Sequence, residues 1–182
     1  MKIYWLRADK EDYQTFYTPD EAEYEILREF DGRPRSASWV PIRVAVWRHE
    51  QVPEGLKPSD FPSLRSSCPV FSTRAAEGLW DLLEPNGEIL PLLCDEGEYF
   101  VYNVTTLSDA LDEERSEISR FPDDGQVMAV YEYVFRSDKV GQAAIFKLTQ
   151  IPTLWVFVTE EFVQRVQELG LVGFDFTLVW EG

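Results

Sequence analysis

With 33 Asp and Glu against 17 Lys and Arg in 182 residues, the chain carries a formal charge of −16, which repels phosphate and anionic lipid and excludes a nucleic-acid-binding module or a peripheral membrane protein. At 45% apolar and 14% aromatic residues it is too hydrophobic for an acidic disordered chain. Its length suits one domain, residues 1–182, whose core needs neither disulfide nor metal.

Along the chain, residues 1–51 read as an N-terminal sub-region. Ile3 to Leu6 is the one apolar run before Arg7, Asp9, Lys10, Glu11 and Asp12, which predicts no signal peptide. No apolar run reaches the ~18 residues of a spanning helix. Residues 2–6 and 40–47 read as strands. Between them Thr18-Pro19-Asp20-Glu21 is a capping box with Pro at the first helical position, and residues 24–30 lean to helix, although Tyr24, Ile26 and Phe30 also alternate as a strand would. Residues 52–69, with Pro53, Pro58, Pro62 and Pro69, form a Pro-rich connection.

In residues 70–182, Ser72 or Thr73 caps a helix with Ala75, Leu79, Leu82 and Leu83 on one face, stopped by Pro85-Asn86-Gly87. Residues 89–93 and 99–104 are predicted to pair as an antiparallel hairpin across the acidic turn 94–98. Residues 127–135, 145–148 and 154–158 are β-branched and aromatic. Thr159 caps a helix with Phe162, Val166 and Leu169 on one face and Gly170 as its stop. Phe174, Phe176, Leu178 and Trp180 then alternate along a closing strand, expected to face a core shared with Phe162 and Val166. The class is α+β, a largely antiparallel sheet with two or three packed helices.

Few residues carry reactive chemistry. His49 is the single histidine, and Cys68 and Cys94 have no ligand-spaced partner, so no zinc site, catalytic triad or other cofactor is expected. The cysteines read as buried thiols of a reducing compartment, and the protein as cytoplasmic. No glycine-rich phosphate cradle is present. Asn103-Val104-Thr105 matches a glycosylation sequon but reads as a strand end.

Charge is the more informative pattern. Residues 61–126 hold 14 acids and 4 bases, and between Glu77 and Asp124 only Arg115 and Arg120 answer the acids. If residues 107–118 are helical, Leu107, Leu111 and Ile118 share one stripe while Asp109, Asp112 and Glu113 point outward. That element presents either a solvated acidic face or a docking surface for a basic partner.

One set of segments also resembles a known family: Asp60-Phe61-Pro62, Pro69-Val70-Phe71-Ser72 leading into Arg74-Ala75, residues 99–105 (YFVYNVT), Asp109-Ala110-Leu111-Asp112 with Ser116, Ile145-Phe146-Lys147-Leu148, and Val158-Thr159-Glu160-Glu161-Phe162 followed by Gly170-Leu171 and Gly173-Phe174 through Trp180. Their order and spacing over residues 55–180 resemble the Myxococcus-type immunity protein domain of bacterial polymorphic toxin systems, formerly a domain of unknown function. The resemblance implies that 70–182 is an immunity-like core and that the protein is a cytoplasmic antidote, not an enzyme, which binds and neutralises a cognate toxin effector domain. With the charge pattern it points to a basic toxin, such as a nuclease, held by Asp109, Asp112, Glu113, Glu114, Asp123 and Asp124. An enzyme working through carboxylates, or a small-ligand or sugar-binding module, are the alternative readings.

Overall fold

The computed structural model describes residues 1–48 and 56–182; His49 and the start of the Pro-rich connection, residues 52–55, lie outside the described residues. In chain order the elements are β1 (Lys2–Ala8), β2 (Phe16–Tyr17), α1 (Glu21–Arg28), β3 (Ile42–Val46), β4 (Val70–Ser72), α2 (Thr73–Gly78), α3 (Trp80–Leu83), β5 (Gly87–Cys94), β6 (Tyr99–Val104), β7 (Leu107–Ser108), β8 (Glu117–Arg120), β9 (Val127–Glu132), α4 (Ser137–Val140), β10 (Ile145–Leu148), β11 (Phe157–Thr159), α5 (Glu160–Glu168) and β12 (Phe174–Glu181). They build two five-stranded sheets, ordered β12-β1-β11-β10-β7 and β2-β3-β5-β6-β4, and a separate β8-β9 pair. Among the described strands only β10–β7 and β3–β5 pair in parallel, beside two isolated parallel bridges, Tyr13 to Lys57 and Thr15 to Ser63, so the α+β, largely antiparallel expectation holds. The predicted helix after Ser72 is divided at Leu79, whose backbone leaves the helical range at φ −106 and ψ 8. With the single turn of α4 this raises the helix number above the expected two or three.

Three apolar clusters hold the elements together. The first packs Ala75, Leu79 and Leu83 against Leu6, Phe71, Tyr102, Phe162 and Val166. The second gathers Val127, Val130, Phe135, Phe146 and Phe157 under the β8-β9 pair. The third closes Leu27 and Phe30 over Ile42, Val44, Leu90 and Val101. Helix rather than strand prevails at α1 because Asp20, not Thr18, is its N-cap and accepts from the Ala22 N–H at 2.8 Å. Pro19 therefore precedes the helix instead of opening it. Thr159 stands at the N-cap of α5 but makes no side-chain capping bond.

β12 departs from simple alternation. Its register against β1 shifts between Ile3 and Tyr4, which pair with Trp180 and Leu178, so Val179 is the extra residue of a bulge. Phe174 and Phe176 lean on the first cluster, with the Phe176 ring 6.4 Å from Phe162. Past the bulge Trp180 joins the second cluster, and Leu178 is left 47% exposed.

The described part of the Pro-rich connection is bound into the fold. Asp60, 8% exposed, accepts hydrogen bonds from Ser72 Oγ (2.8 Å), Arg74 Nη1 (2.7 Å) and the Val172 N–H (3.0 Å). Ser72 caps α2 through the Ala75 N–H, and Arg74 Nη2 donates to the Leu169 and Gly170 carbonyls at the end of α5. Gly173, at φ +88, passes so close to Ser59 that a Cβ would collide with the hydroxyl. The Asp60, Ser72, Arg74, Gly170 and Gly173 motif residues are thus one structural staple.

Three further placements bear on the sequence reading. Cys68 is fully buried, whereas Cys94, expected to be buried, is only half-buried. Asn103 is fully buried and its amide donates to the Arg33 carbonyl and to Glu88, both at 2.8 Å. Burial opposes ionisation of Glu88, but hydrogen bonds from Ser36 Oγ, the Arg35 N–H and Asn103 outweigh it and hold the carboxyl below its ordinary pKa. Lys147 on β10 is wholly buried; its Nζ donates at 2.5 Å to the Phe30 carbonyl, just past the end of α1, where the helix dipole favours a cation. Burial lowers its pKa to about 8.

Candidate functional site

The acid-rich segment does not form the helix that residues 107–118 suggest. Leu107 and Ser108 add a short parallel strand to β10, Leu111 bridges Phe135, and the chain then turns at residues 112–116 into β8. Asp112 drives the turn: its Oδ1 accepts from the Glu114 and Arg115 N–H groups at 3.2 Å, and its carbonyl accepts from Ser116. Short polar side chains that bond nearby backbone compete with helix in this way. Ser116 Oγ accepts from the Val134 N–H at 3.0 Å and ties the turn to the return strand.

The β8-β9 hairpin stands beyond both large sheets and pairs only with itself. Its tip closes with the Gly125 N–H donating to the Phe121 carbonyl, the Gln126 N–H donating to Asp124 Oδ1 at 3.0 Å, and Gly125 at φ +70. Arg120 reaches from β8 to the Gly125 carbonyl and to Glu113. Turn and tip therefore form one lobe that carries Asp112, Glu113, Glu114, Asp123 and Asp124, while Asp109 lies before the turn beside Arg136.

The six acids named from the sequence divide into two kinds. Asp109 pairs with Arg136 at 3.1 Å, and Asp112 is spent on its turn. Glu113 is held by Arg120 and by Gln150 Nε2, bonds that keep its carboxyl below the ordinary range. Glu114 and Asp123 are exposed and no basic side chain pairs with either among the described residues; Asp124 is exposed and engaged only at its own tip.

Sequence reasoning missed the apolar half of the lobe. Val127 and Val130 face the core, while Phe121, Met128 and Tyr131 are 48%, 42% and 66% exposed. The sequence signal was the run of apolar residues 127–131, which has no polar partner face: a strand buried on one side only should alternate. Large aromatics and Met exposed to water on the same hairpin as uncompensated carboxylates have the composition of a protein-binding surface with apolar anchors and a charged rim.

For catalysis the lobe offers no nucleophile with an adjacent base. Among the described residues no three His, Cys, Asp or Glu side chains converge as a metal-binding group. No described helix is long and apolar enough to cross a membrane.

No curated protein matches the chain. The model of the Immunity protein family (Imm11) matches residues 95–180, a stretch that contains the whole β8-β9 lobe and agrees with the family that the sequence motifs resemble.

Proposed function

We propose that the protein is an immunity protein that neutralises a toxin domain in the cytoplasm by stoichiometric binding, without turnover, and that the β8-β9 lobe is the surface it uses. The observation that carries this reading is the coincidence, inside the matched stretch 95–180, of exposed Phe121, Met128 and Tyr131 with the carboxylates of Glu114, Asp123 and Asp124. Aromatic anchors supply the slow dissociation and unpaired carboxylates the fast encounter. The same charge favours a basic toxin domain, of which a nuclease with its positive cleft is the natural case: a carboxylate-bearing surface can fill that cleft without being cleaved. Asp109, Asp112 and Glu113 contribute to the field of the lobe while their main work is to hold its shape.

The test is co-expression with the C-terminal domain of the toxin encoded beside the gene, followed by stopped-flow association. Glu114→Lys with Asp123→Lys is expected to slow association about tenfold at low salt and to flatten its salt dependence; Tyr131→Ala is expected to speed dissociation by about tenfold or more. A complex in which both variants retain the native rate constants places the contact elsewhere. Absence of any complex removes the immunity reading.

A further inference from the structure

A cavity of about 500 Å³ opens between β1, the 61–70 segment and α1, and none of the six acids lines it. Its charged lining residues are Arg7, Lys10 and Arg65, with no carboxylate among them. The other described cavities each include at least one acid, such as Asp95, Asp60, Asp81 or Glu21. In a chain of net charge −16 such an all-cationic lining runs against composition.

Arg65 is the centre of it. Every other arginine among the described residues has a carboxylate partner; Arg65 has none. It is held instead by neutral groups: its Nε donates to Ser67 Oγ at 3.0 Å and its Nη1 to the Tyr24 hydroxyl at 3.1 Å, with the guanidinium over the Tyr24 ring. These contacts orient the planar fork and leave its charge uncompensated, an arrangement prepared for an oxyanion. Among the described residues Lys10 also has no carboxylate partner, and Arg7 meets Asp175 only at 3.8 Å.

Two tryptophans form part of the remaining wall. Trp5 and Arg7 lie on the same face of β1, and Trp5 stacks on Trp155 with ring centroids 5.2 Å apart and planes 23° apart. Phe61 also lines the cavity, but its ring is turned into the first cluster, stacked on Phe174. The volume falls in the range of small-molecule sites, ~300–1,000 Å³, in which apolar walls carry a few placed polar groups.

We propose that this cavity binds a small organic anion with a flat aromatic body, its oxyanion on Arg65 and Lys10 and its ring against the tryptophan wall. A nucleoside monophosphate and an aromatic carboxylate share that chemistry. The proposal is independent of the toxin partner.

It is tested on the full chain by calorimetric titration and tryptophan fluorescence with AMP and indole-3-acetate, their neutral counterparts adenosine and indole, and inorganic phosphate. Saturable binding is expected for at least one aromatic anion, with AMP against indole-3-acetate deciding between phosphate and carboxylate. The neutral counterpart and phosphate alone should bind about tenfold or more weakly, and Arg65→Gln should lose about tenfold at an unchanged unfolding midpoint. Lys10→Gln, at an exposed position, gives a second reading should Arg65→Gln fail to fold; a loss of several-fold is expected. The proposal is overturned if neither anion saturates by about 10 mM, if the neutral compounds bind equally well, or if neither substitution weakens binding. It is equally overturned if a short peptide of Asp and Glu binds where the aromatic anions do not, since the cavity would then receive a protein partner.

Discussion

Removing the Asp60 carboxylate tests whether the staple it forms stabilises the fold or only decorates it. Asp60→Ala deletes the acceptor of three hydrogen bonds, from Ser72, Arg74 and Val172, at 2.8, 2.7 and 3.0 Å. The backbone bonds of residue 60, to the Val172 carbonyl and from the Ser72 N–H, need no side chain and survive. A hydrogen bond to a charged acceptor is worth ~1.5–3 kcal/mol. The Arg74 side chain is 56% exposed and can be rehydrated, so its share is small. The Ser72 hydroxyl and the Val172 N–H are left without their acceptor at a partly buried position, which gives a cost of about 3 kcal/mol. In a chain of this length that lowers Tm by about 6–12 °C. Asp60→Asn keeps one oxygen acceptor and should cost about half as much. The assay is urea and thermal unfolding followed by circular dichroism, with Glu98→Ala, an exposed acid nearby, as a control near zero. A loss below about 1 kcal/mol for Asp60→Ala would refute the reasoning.

Two other outcomes follow from the core. Phe176→Ala, which removes a ring packed on Phe162 and Tyr4, should cost about 2 kcal/mol because the site is only partly buried, whereas exposed Leu178→Ala just before the bulge should cost less than about 0.5 kcal/mol; urea midpoints decide. Lys147 and Cys68 set an alkaline profile of opposing signs. Lys147 titrates at about 8 when folded against 10.5 when unfolded, so the unfolded chain binds more protons between those values and stability rises with pH there, by about 3 kcal/mol in total. Cys68, pushed by burial from 9.0 to about 11, keeps its proton when the unfolded thiol has lost it, so its stabilising contribution is lost as pH rises above 9. Stability should therefore climb from about pH 8 to 9 and level off above it, Cys68→Ala should prolong the climb, and Lys147→Met should abolish it; a flat wild-type profile between pH 7.5 and 9 would contradict the Lys147 assignment, and a climb that Cys68→Ala leaves unchanged above pH 9 would contradict that of Cys68.

What the sequence made legible, and what it hid, divides along physical lines. The β5-β6 hairpin, α2 with α3, and α5 were readable because caps, stops and periodicity are local properties, carried by Ser72, Pro85 to Gly87 and Gly170. Residues 107–118 misled because Leu107, Leu111 and Ile118 fit a helical stripe, while the side-chain-to-backbone bonds of Asp112 and Ser116 decide for a turn. The bulge at Val179 is set by pairing with β1, and nothing in residues 174–180 announces it. The six acids were picked out of the sequence by counting. That Asp109 and Glu113 are already answered by Arg136, Arg120 and Gln150 depends on partners up to 37 residues away, and could not be read along the chain. Burial of Lys147 is hidden for the same reason.

The strand order β12-β1-β11 has a consequence for the stretch 95–180. Four strands of that sheet, β7, β10, β11 and β12, come from the matched stretch, but the strand that joins β12 to the others is β1, from the opposite end of the chain. A fragment cut to the family boundaries would be an interrupted sheet with two raw apolar edges, and should aggregate or bind chaperones rather than fold. Loss of β1 alone is a different case: residues 10–182 should be rescued in trans by a synthetic peptide of residues 1–9, which supplies the missing strand, with Ile3 and Leu6 as its buried side chains, by donor-strand complementation. Split this way, the protein becomes a two-piece reporter whose reassembly can be switched on by adding the shorter piece.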